Sequence, residues 1–321
     1  MRRIADRLLD WRFHCWYWGD AVAIDALLEA HDVLGGPYRQ HVLDTLLRWQ
    51  AHCPVNFDDV LAPGAAILRL VMDGDLPSAA ADRLLGSLDR LPSASGAVPA
   101  LEPHRPAFRF GLCIDTLYHL PPLFALAGRL RGDTALSRRA IDIAVDGMQA
   151  LRCAAGWAQW FDPTRRANNG VAWSRGLGWA VLGLLDLLSV VDHPVSEVSD
   201  FAAQLLTRLA QTQEENGHWR AVLDHPAAAT ETSTAAFYVA ACHHPAAQNL
   251  VALPRHVLGR AEQALIAAID ADGTYTGVSA DVLPSWDVKT YERFATEPSP
   301  WAQGCAVRAL AALARAADQK P

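Results

Sequence analysis

The sequence predicts an all-α fold in which six helical hairpins close into a ring, an (α/α)6 toroid. Twelve segments place apolar residues at helical spacing, and little strand pattern lies between them. The connections alternate between short turns and long loops, so helices that run up and down in pairs put every long loop on one face. The helical segments lie near residues 2–12, 18–33, 37–51, 63–73, 77–91, 112–130, 134–152, 172–191, 196–214, 229–242, 254–270 and 300–317.

The two kinds of connection differ in composition. The short turns are rich in Gly, Asp and Pro, as in Gly35-Gly36-Pro37 and Asp192-His193-Pro194, which end helices. The even-numbered helices then form the inner layer and begin at the long-loop face. Helix N-termini carry partial positive charge and free N–H groups, so a ring of six favours an anionic ligand. The long loops cover 52–62, 92–111, 153–171, 215–228 and 271–299.

Size and composition indicate a globular protein. The chain has 321 residues without a linker, low-complexity run or charge block, so we predict one domain over residues 1–321. A net charge of -7 provides no basic surface for nucleic acid. No segment has the apolar length of a signal sequence or a membrane span, so we expect a cytoplasmic protein without a membrane partner. A monomer and a homodimer both remain open.

The cysteines and one acidic segment bear on metals and disulfides. Six cysteines lie far apart without a CxxC pair, which favours reduced thiols over a disulfide or zinc framework. The segment Asp270-Ala271-Asp272-Gly273 resembles the start of a calcium loop but lacks the later acidic ligands, so it predicts a turn. We therefore expect no metal at the cysteines or at this segment. The cysteines are Cys15, Cys53, Cys113, Cys153, Cys242 and Cys305.

Two carboxylates are the candidate catalytic groups. Asp115 lies in the first turn of the predicted helix 112–130, beside apolar residues, and Asp59 precedes the predicted helix 63–73. A carboxyl in a Trp-lined pocket can have its pKa raised enough to act as a general acid. Each aspartate also fits a helix cap, which would satisfy free backbone amides.

Candidate binding residues cluster at the predicted helix starts of the loop face. In Trp173-Ser-Arg-Gly-Leu-Gly-Trp179, we expect Trp173 and Arg175 to project from the rim, where Arg175 could bind a carboxylate. The same motif also fits a helix start with core tryptophans. Further candidates for sugar contacts are Trp18, Gln159 and Trp160, although Trp160 fits the core equally well.

In their order along the chain, these motifs resemble those of the unsaturated uronyl hydrolases of glycoside hydrolase families 105 and 88. The Trp173–Trp179 motif is followed by an apolar helix, and Asp115 stands in Ile-Asp-Thr-Leu. Asp59, five residues before Gly64, matches the position of that family's other acidic residue. The remaining motifs are Gly217-His218-Trp219-Arg220 leading to Glu231-Thr232-Ser233, then Tyr291, and Gln303-Gly304.

The resemblance implies the toroid and an unusual reaction on an unsaturated acidic oligosaccharide. Such enzymes hydrate the 4,5-double bond that polysaccharide lyases leave in a terminal uronic acid, and the hemiketal then releases the shortened sugar. Asp115 would protonate C4 and activate the water that adds at C5, while Asp59 would hold sugar hydroxyls and tune Asp115. The resemblance implies a uronate contact for Arg175 and sugar contacts for Trp173, Trp179, His218 and Trp219. It also implies that the reaction needs no metal or organic cofactor.

The chain departs from the family pattern at Gln159, where many members have a histidine. Its amide can hydrogen-bond to a sugar hydroxyl but cannot titrate. In the unmatched loop 92–111, His104 and Arg109 face either sugar or solvent.

Three other functions stay open. An inverting glycosidase on a saturated uronide would use the same two acids. A non-catalytic protein that binds acidic oligosaccharides would use the same aromatic and cationic groups without turnover. A sugar epimerase would need paired histidines at the inner helix ends. The available histidines do not obviously supply such a pair, and they are His119, His218, His243 and His244.

Overall fold

The computed structural model describes residues 1–52, 63–89, 91–100 and 111–318. Twelve α-helices run through these residues at the predicted positions, which confirms the all-α fold. They are α1 (Arg2–Leu9), α2 (Trp18–Leu34), α3 (Tyr38–His52), α4 (Gly64–Met72), α5 (Ser78–Leu88), α6 (Thr116–Arg131), α7 (Thr134–Ala150), α8 (Ser174–Val190), α9 (Ser196–Thr212), α10 (Ser233–Cys242), α11 (Arg255–Ala267) and α12 (Pro300–Asp318).

The even-numbered helices form a closed inner ring. Each packs against the next, from α2 through α4, α6, α8 and α10 to α12, and α12 packs against α2. The odd-numbered helices form the outer layer, where α3, α5, α7, α9 and α11 each pack on the inner helix that precedes them, and α1 packs on α12. This is the predicted (α/α)6 toroid, with the predicted division into layers.

Glycines let the inner helices approach one another closely. A Cβ on Gly183 of α8 would lie 2.0 Å from the carbonyl oxygen of Leu117 in α6. A Cβ on Gly304 of α12 would lie 2.8 Å from the carbonyl oxygen of Val22 in α2. Only a residue without a side chain permits such backbone contacts. These two glycines therefore set the spacing at two joints of the ring.

Short strands lie within the long loops at the face where the inner helices begin. Strand β6 is central in the antiparallel order β3-β6-β7, and the other strands pair as two-stranded hairpins. Each strand spans two or three residues, too few for an alternating pattern, so the sequence did not reveal them. They are β1 (Ser93–Ser95), β2 (Val98–Pro99), β3 (Leu112–Cys113), β4 (Arg152–Cys153), β5 (Gly156–Trp157), β6 (Trp160–Asp162), β7 (Ala167–Asn168), β8 (Trp219–Arg220) and β9 (Thr230–Glu231).

One cysteine corrects the thiol prediction. Cys15 is disulfide-bonded, so the expectation of reduced thiols throughout is wrong at this residue. Separation along the chain does not report the distance between two cysteines in the fold, and that distance decides whether they can pair. Disulfides are typical of oxidising compartments, so this bond does not support the cytoplasmic prediction.

Within the described ranges, no helix is long and apolar enough to cross a membrane.

A buried arginine connects four helices inside the ring. Arg308 of α12 donates from Nη1 to the hydroxyl of Tyr118 in α6 at 2.7 Å, and from Nη2 to the carboxylate of Asp186 in α8 at 3.1 and 3.2 Å. Its Nε donates to Glu29 in α2. The Arg308 side chain is only 9% exposed. Although burial raises the pKa of Asp186, Arg308 and His244 hold it below its ordinary value.

We predict that Arg308→Met lowers the free energy of unfolding by about 3–5 kcal/mol, because it leaves Glu29 and Asp186 without their shared cation. Denaturant unfolding measures the loss. Arg315→Met is the matched control, since Arg315 also binds Glu29, at 2.6 Å, but its side chain is 43% exposed. The control should lose less than about 1 kcal/mol. Equal losses in the two variants would show that the buried Arg308 stabilises the ring no more than the exposed Arg315 does.

Candidate active site

A hairpin-like loop crosses the mouth of the ring, the face where the inner helices begin. We call residues 278–297 the mouth loop. Backbone bonds close its base, since Ala280 N–H donates to Ala295 O at 2.9 Å and Glu297 N–H donates to Val278 O at 3.3 Å. Ser279 also forms a bridge with Thr296. The tip, residues 281–294, is therefore held at both ends.

Asp115 occupies the start of inner helix α6 at this mouth. It is the N-cap residue of α6, although its side chain accepts no capping hydrogen bond, and it is 8% exposed. Strand β3 and the bond from Ile114 N–H to Gln159 O, at 2.9 Å, fix the backbone in front of it. A carboxyl in this position is nearly enclosed by protein while it still reaches solvent.

A second carboxyl, Asp281, lies on the mouth loop. Burial raises the pKa of the Cys113 thiol, and the charges of Asp115 and Asp281 raise it further. Asp281 is exposed and stands in a long loop without helical or strand pattern, so nothing in the sequence singled it out. The predicted acid Asp59 lies outside the described residues, as do His104 and Arg109.

An aromatic cluster joins the inner helices below the mouth. The ring of Trp18 lies 4.8 Å from that of Trp301 and 6.2 Å from that of Trp179. Trp179 is fully buried, with Phe237 at 4.4 Å and Tyr118 at 4.8 Å between ring centroids. Other rings therefore enclose Trp179, and the stacking of a sugar on it stays a prediction.

Trp301 brings this cluster to an open cavity. A cavity of about 410 Å³ lies between the N-terminal segment and the mouth loop, and Tyr17, Asp281 and Trp301 are among its lining residues. Trp301 is 5% exposed, and its indole N–H has no hydrogen-bond partner within the described part of the chain. The sequence places Trp301 at the start of the predicted helix 300–317, on the loop face, but did not single it out as a substrate contact.

Arg175 does not project from the rim, and that part of the prediction is wrong. Its side chain is 0% exposed, and its guanidinium donates to the carbonyl oxygens of Ser279 and Ala280 in the mouth loop. Nη1 also lies 3.8 Å from Oε2 of Glu231, which is equally buried. The guanidinium stacks 4.7 Å over the ring of Trp173, which is 2% exposed. The mouth loop covers this arginine, and motif spacing alone could not reveal that cover.

Glu231 completes this buried network. Its Oε1 accepts from the N–H and the hydroxyl of Ser233, at 3.0 and 2.7 Å. Its Oε2 accepts from the N–H of Ser279 at 3.3 Å and from the Ser279 hydroxyl. One carboxylate therefore joins the start of α10 to the base of the mouth loop.

Gln159 anchors the tip of the mouth loop. Its Nε2 donates to Val282 O at 2.9 Å, and its Oε1 accepts from the hydroxyl of Tyr291. The Tyr291 oxygen also accepts from Ser285 N–H at 2.9 Å and from Nδ2 of Asn169 at 3.3 Å. Gln159 is 1% exposed. Both ends of its amide thus contact protein, and a sugar contact by Gln159 stays a prediction.

The remaining predicted residues divide between core and loop face. Trp219 is fully buried, donates from Nε1 to Leu209 O at 2.8 Å and packs 5.3 Å from the ring of Tyr238, and its predicted sugar contact stays a prediction. Trp160 is 4% exposed in strand β6. His218 is half-buried, and burial lowers its pKa. Sugar contacts by Trp18, Trp160, Trp173 and His218 stay predictions.

His119 lies one helical turn after Asp115, a spacing that places both residues on the same face of α6. It is 6% exposed, and its ring lies 6.2 Å from that of Trp179. Burial, with a smaller contribution from Arg308, lowers the pKa of His119 to about 3, so its imidazole is neutral near pH 7. His243 and His244 lie after the C-terminal end of α10 and contact Glu262 and Asp186, so they form no pair at the mouth.

The match to a family model decides which family this chain belongs to. Residues 157–317, half of the chain, match the model of Glycosyl Hydrolase Family 88. The chain belongs to glycosyl hydrolase family 88. The matched residues of this family 88 chain include Gln159, the Trp173–Trp179 motif, Glu231 and the whole mouth loop.

Similar proteins agree with this assignment. The unsaturated rhamnogalacturonyl hydrolase YesR of Bacillus subtilis is 26% identical over 156 residues, which cover 47% of this chain and 44% of that protein. The alignment thus spans less than half the length of this curated relative.

Solved structures share the fold. A possible member of the GH105 family from Klebsiella pneumoniae has a TM-score of 0.83 at 18% identity, over 98% of this chain and 92% of its own. A possible GH105 member from Salmonella enterica has a TM-score of 0.84 at 18% identity, over 98% and 93%. The unsaturated glucuronyl hydrolase of Bacillus sp. GL1 has a TM-score of 0.73 at 16% identity, over 96% and 89%.

We predict that Arg175→Met destabilises this family 88 chain by about 3–5 kcal/mol, because Glu231 would remain buried without its cation. Denaturant unfolding followed by circular dichroism measures the loss. Arg220→Met is the matched control, since the half-exposed Arg220 pairs with Glu214 at 2.7 Å. The control should lose less than about 1 kcal/mol. A stable Arg175→Met protein would contradict the buried network.

We predict that His119 makes the folded chain less stable as the pH falls below neutrality. Its pKa is about 3 in the folded chain against 6.5 ordinarily, so the unfolded chain binds more protons between these values. The contribution of His119 to the free energy of unfolding is therefore fully present above pH 6.5. It falls by up to about 1.4 kcal/mol per pH unit as the pH drops towards 3.

The variant His119→Leu should reduce this pH dependence of the free energy of unfolding, as measured by urea unfolding from pH 4 to pH 8. At pH 8 the His119 imidazole is neutral in both the folded and the unfolded wild-type chain. The difference in free energy of unfolding between variant and wild type at that pH therefore reports packing alone. An unchanged slope below pH 6.5 would mean that His119 is protonated in the folded chain.

Proposed function

We propose that this family 88 chain hydrates the C4=C5 enol ether of 4,5-unsaturated uronyl oligosaccharides, the products of polysaccharide lyases. The observation that carries the proposal is the nearly enclosed carboxyl of Asp115 at the start of α6, within the mouth of the ring. The names of the similar proteins support it, since one is an unsaturated rhamnogalacturonyl hydrolase and another an unsaturated glucuronyl hydrolase. The uronyl unit of the substrate is glucuronyl or galacturonyl.

In the proposed reaction Asp115 acts first as an acid and then as a base. Its carboxyl gives a proton to C4 of the double bond, and positive charge develops at C5, shared with the ring oxygen. A water oxygen bonds to C5, and the Asp115 carboxylate takes a proton from that water. The resulting hemiketal opens, which breaks the glycosidic bond and releases the shortened sugar. The proposal assigns no metal or organic cofactor to these steps.

The electrostatics of the mouth suit a uronate. Helices α6, α8, α10 and α12 begin at this face, and helix N-termini carry partial positive charge. Because Arg175 is covered by the mouth loop, we assign the carboxylate to these helix starts rather than to Arg175.

The carboxyl pair favours one other candidate. An inverting glycosidase needs an acid and a base about 6.5–9.5 Å apart, and the charges of Asp115 and Asp281 both raise the pKa of the Cys113 thiol. Such an enzyme would release saturated uronides and leave the conjugated absorbance of an unsaturated disaccharide unchanged. A binding protein without catalysis would act on neither substrate.

We predict that Asp115→Asn lowers turnover by about 10²–10⁴-fold, because the amide cannot give or take the proton. The loss of conjugated absorbance on a panel of lyase-generated disaccharides measures it. The fold should remain, since the Asp115 side chain caps no N–H of α6.

The matched control for this variant is Asp133→Asn. Asp133 also stands at a helix N-cap, that of α7, where it accepts from Ala135 N–H at 2.8 Å on the short-turn face. This control should retain turnover. Near-normal turnover by Asp115→Asn would remove Asp115 from the mechanism, and a panel on which wild type shows no absorbance loss would refute the hydration itself.

A further inference from the structure

The tip of the mouth loop exposes two large apolar side chains. Leu283 is 52% exposed and Trp286 is 45% exposed, although most tryptophans among the described residues are buried. Both follow Asp281, which lines the cavity with Trp301, and Val282, whose carbonyl oxygen accepts from Gln159. A large exposed apolar side chain costs solubility, so a pair of them at a site entrance points to a ligand.

An arginine lies over the exposed indole. The guanidinium carbon of Arg165 stands 4.7 Å from the centroid of the Trp286 ring. Arg165 belongs to the turn between β6 and β7, and its side chain is 60% exposed, with Nε 3.6 Å from the Asp162 carboxylate. The Asp162 carboxylate also accepts from the N–H groups of Thr164 and Arg165, at 2.8 and 3.2 Å, which fixes the turn. Much of the guanidinium therefore remains available to an anion.

The mouth loop does not need this surface contact to keep its place. Buried bonds already hold the tip, from Gln159 to Val282 O and from Asn169 Nδ2 to Ser285 O at 2.9 Å. The buried hydroxyl of Tyr291 accepts from Ser285 N–H. A cation–π contact at an exposed site adds only about 0.5–1 kcal/mol to such an arrangement. Stability alone thus gives a weak reason for an exposed tryptophan here.

We propose that Trp286 and Arg165 form an outer subsite that binds an acidic sugar beyond the unsaturated uronyl residue. The indole would pack against the C–H face of a pyranose, and the guanidinium would bind its carboxylate, which suits the planar fork of arginine. This inference rests on the proposed function. It adds the expectation that the enzyme distinguishes its substrates by length and by charge away from the reacting ring.

The position of the subsite follows from bonds already described. Asp115 follows Ile114, whose N–H binds Gln159 O, and the Gln159 side chain binds Val282 O. Trp286 comes four residues later on the same loop. An oligosaccharide with its unsaturated end at Asp115 would therefore extend past Asp281 towards Trp286.

The test compares Michaelis constants for a lyase-generated unsaturated disaccharide and for the tetrasaccharide of the same polymer, which carries a uronate as its third unit. Trp286→Ala should raise the ratio of KM for the tetrasaccharide to KM for the disaccharide by about three- to tenfold. Trp286→Phe should restore most of this loss, because it keeps an aromatic face. Ile266→Ala is the matched control, since Ile266 is 60% exposed on outer helix α11, and it should leave the ratio unchanged.

The variant Arg165→Gln tests the charge of the guanidinium separately from the stacking on Trp286. It should raise the KM ratio for the natural tetrasaccharide, but not for a tetrasaccharide whose third carboxylate has been reduced to the alcohol. An equal change for both would overturn the role of Arg165 as the carboxylate contact, and an unchanged ratio in Trp286→Ala would overturn the subsite. Wild-type failure on every disaccharide would instead refute the proposed function.

Discussion

The ring depends on the joint between α12 and α2, which closes it. At this joint Gly304 lets the two backbones meet, and Arg308 reaches from α12 to Glu29 of α2. Next to it, Gln303 donates to Ile4 O at 3.0 Å and to Gly273 O at 2.6 Å, and it accepts from Tyr275 N–H at 3.0 Å. One short segment of α12 thus holds an inner helix, an outer helix and the loop that leads to the mouth.

Buried polar groups on three elements hold the mouth loop in place. Arg175 and Glu231 hold the base of the mouth loop, and Gln159 holds its tip. Buried charges are costly unless they are paired and hydrogen-bonded, and here each has several partners. The residues that resemble a substrate-binding motif in the sequence therefore act, in this fold, mainly on the loop that shapes the entrance.

Much of the fold could be predicted from the sequence because its helices are long and strongly periodic. All twelve predicted segments are helices, and the alternation of turn and loop lengths placed each in its layer. The site was harder to predict. Whether Trp179 or Trp219 meets a sugar depends on rings from distant helices, and Arg175 is covered by residues 104 and 105 positions away in the chain. Asp281 carries no local pattern at all, and only the fold brings it to the cavity that Trp301 lines.

The closure of the ring also bears on how the chain acquires its structure. Arg308 and Glu29 are separated by 279 positions, and contacts between such distant residues form slowly because the intervening chain must first be ordered. During synthesis, α2 emerges long before α12, so its apolar flank waits for a partner while the other hairpins assemble. Partly assembled rings of this kind expose surfaces that favour aggregation. We therefore expect nascent chains that lack α12 to depend on chaperones more than the closed ring does.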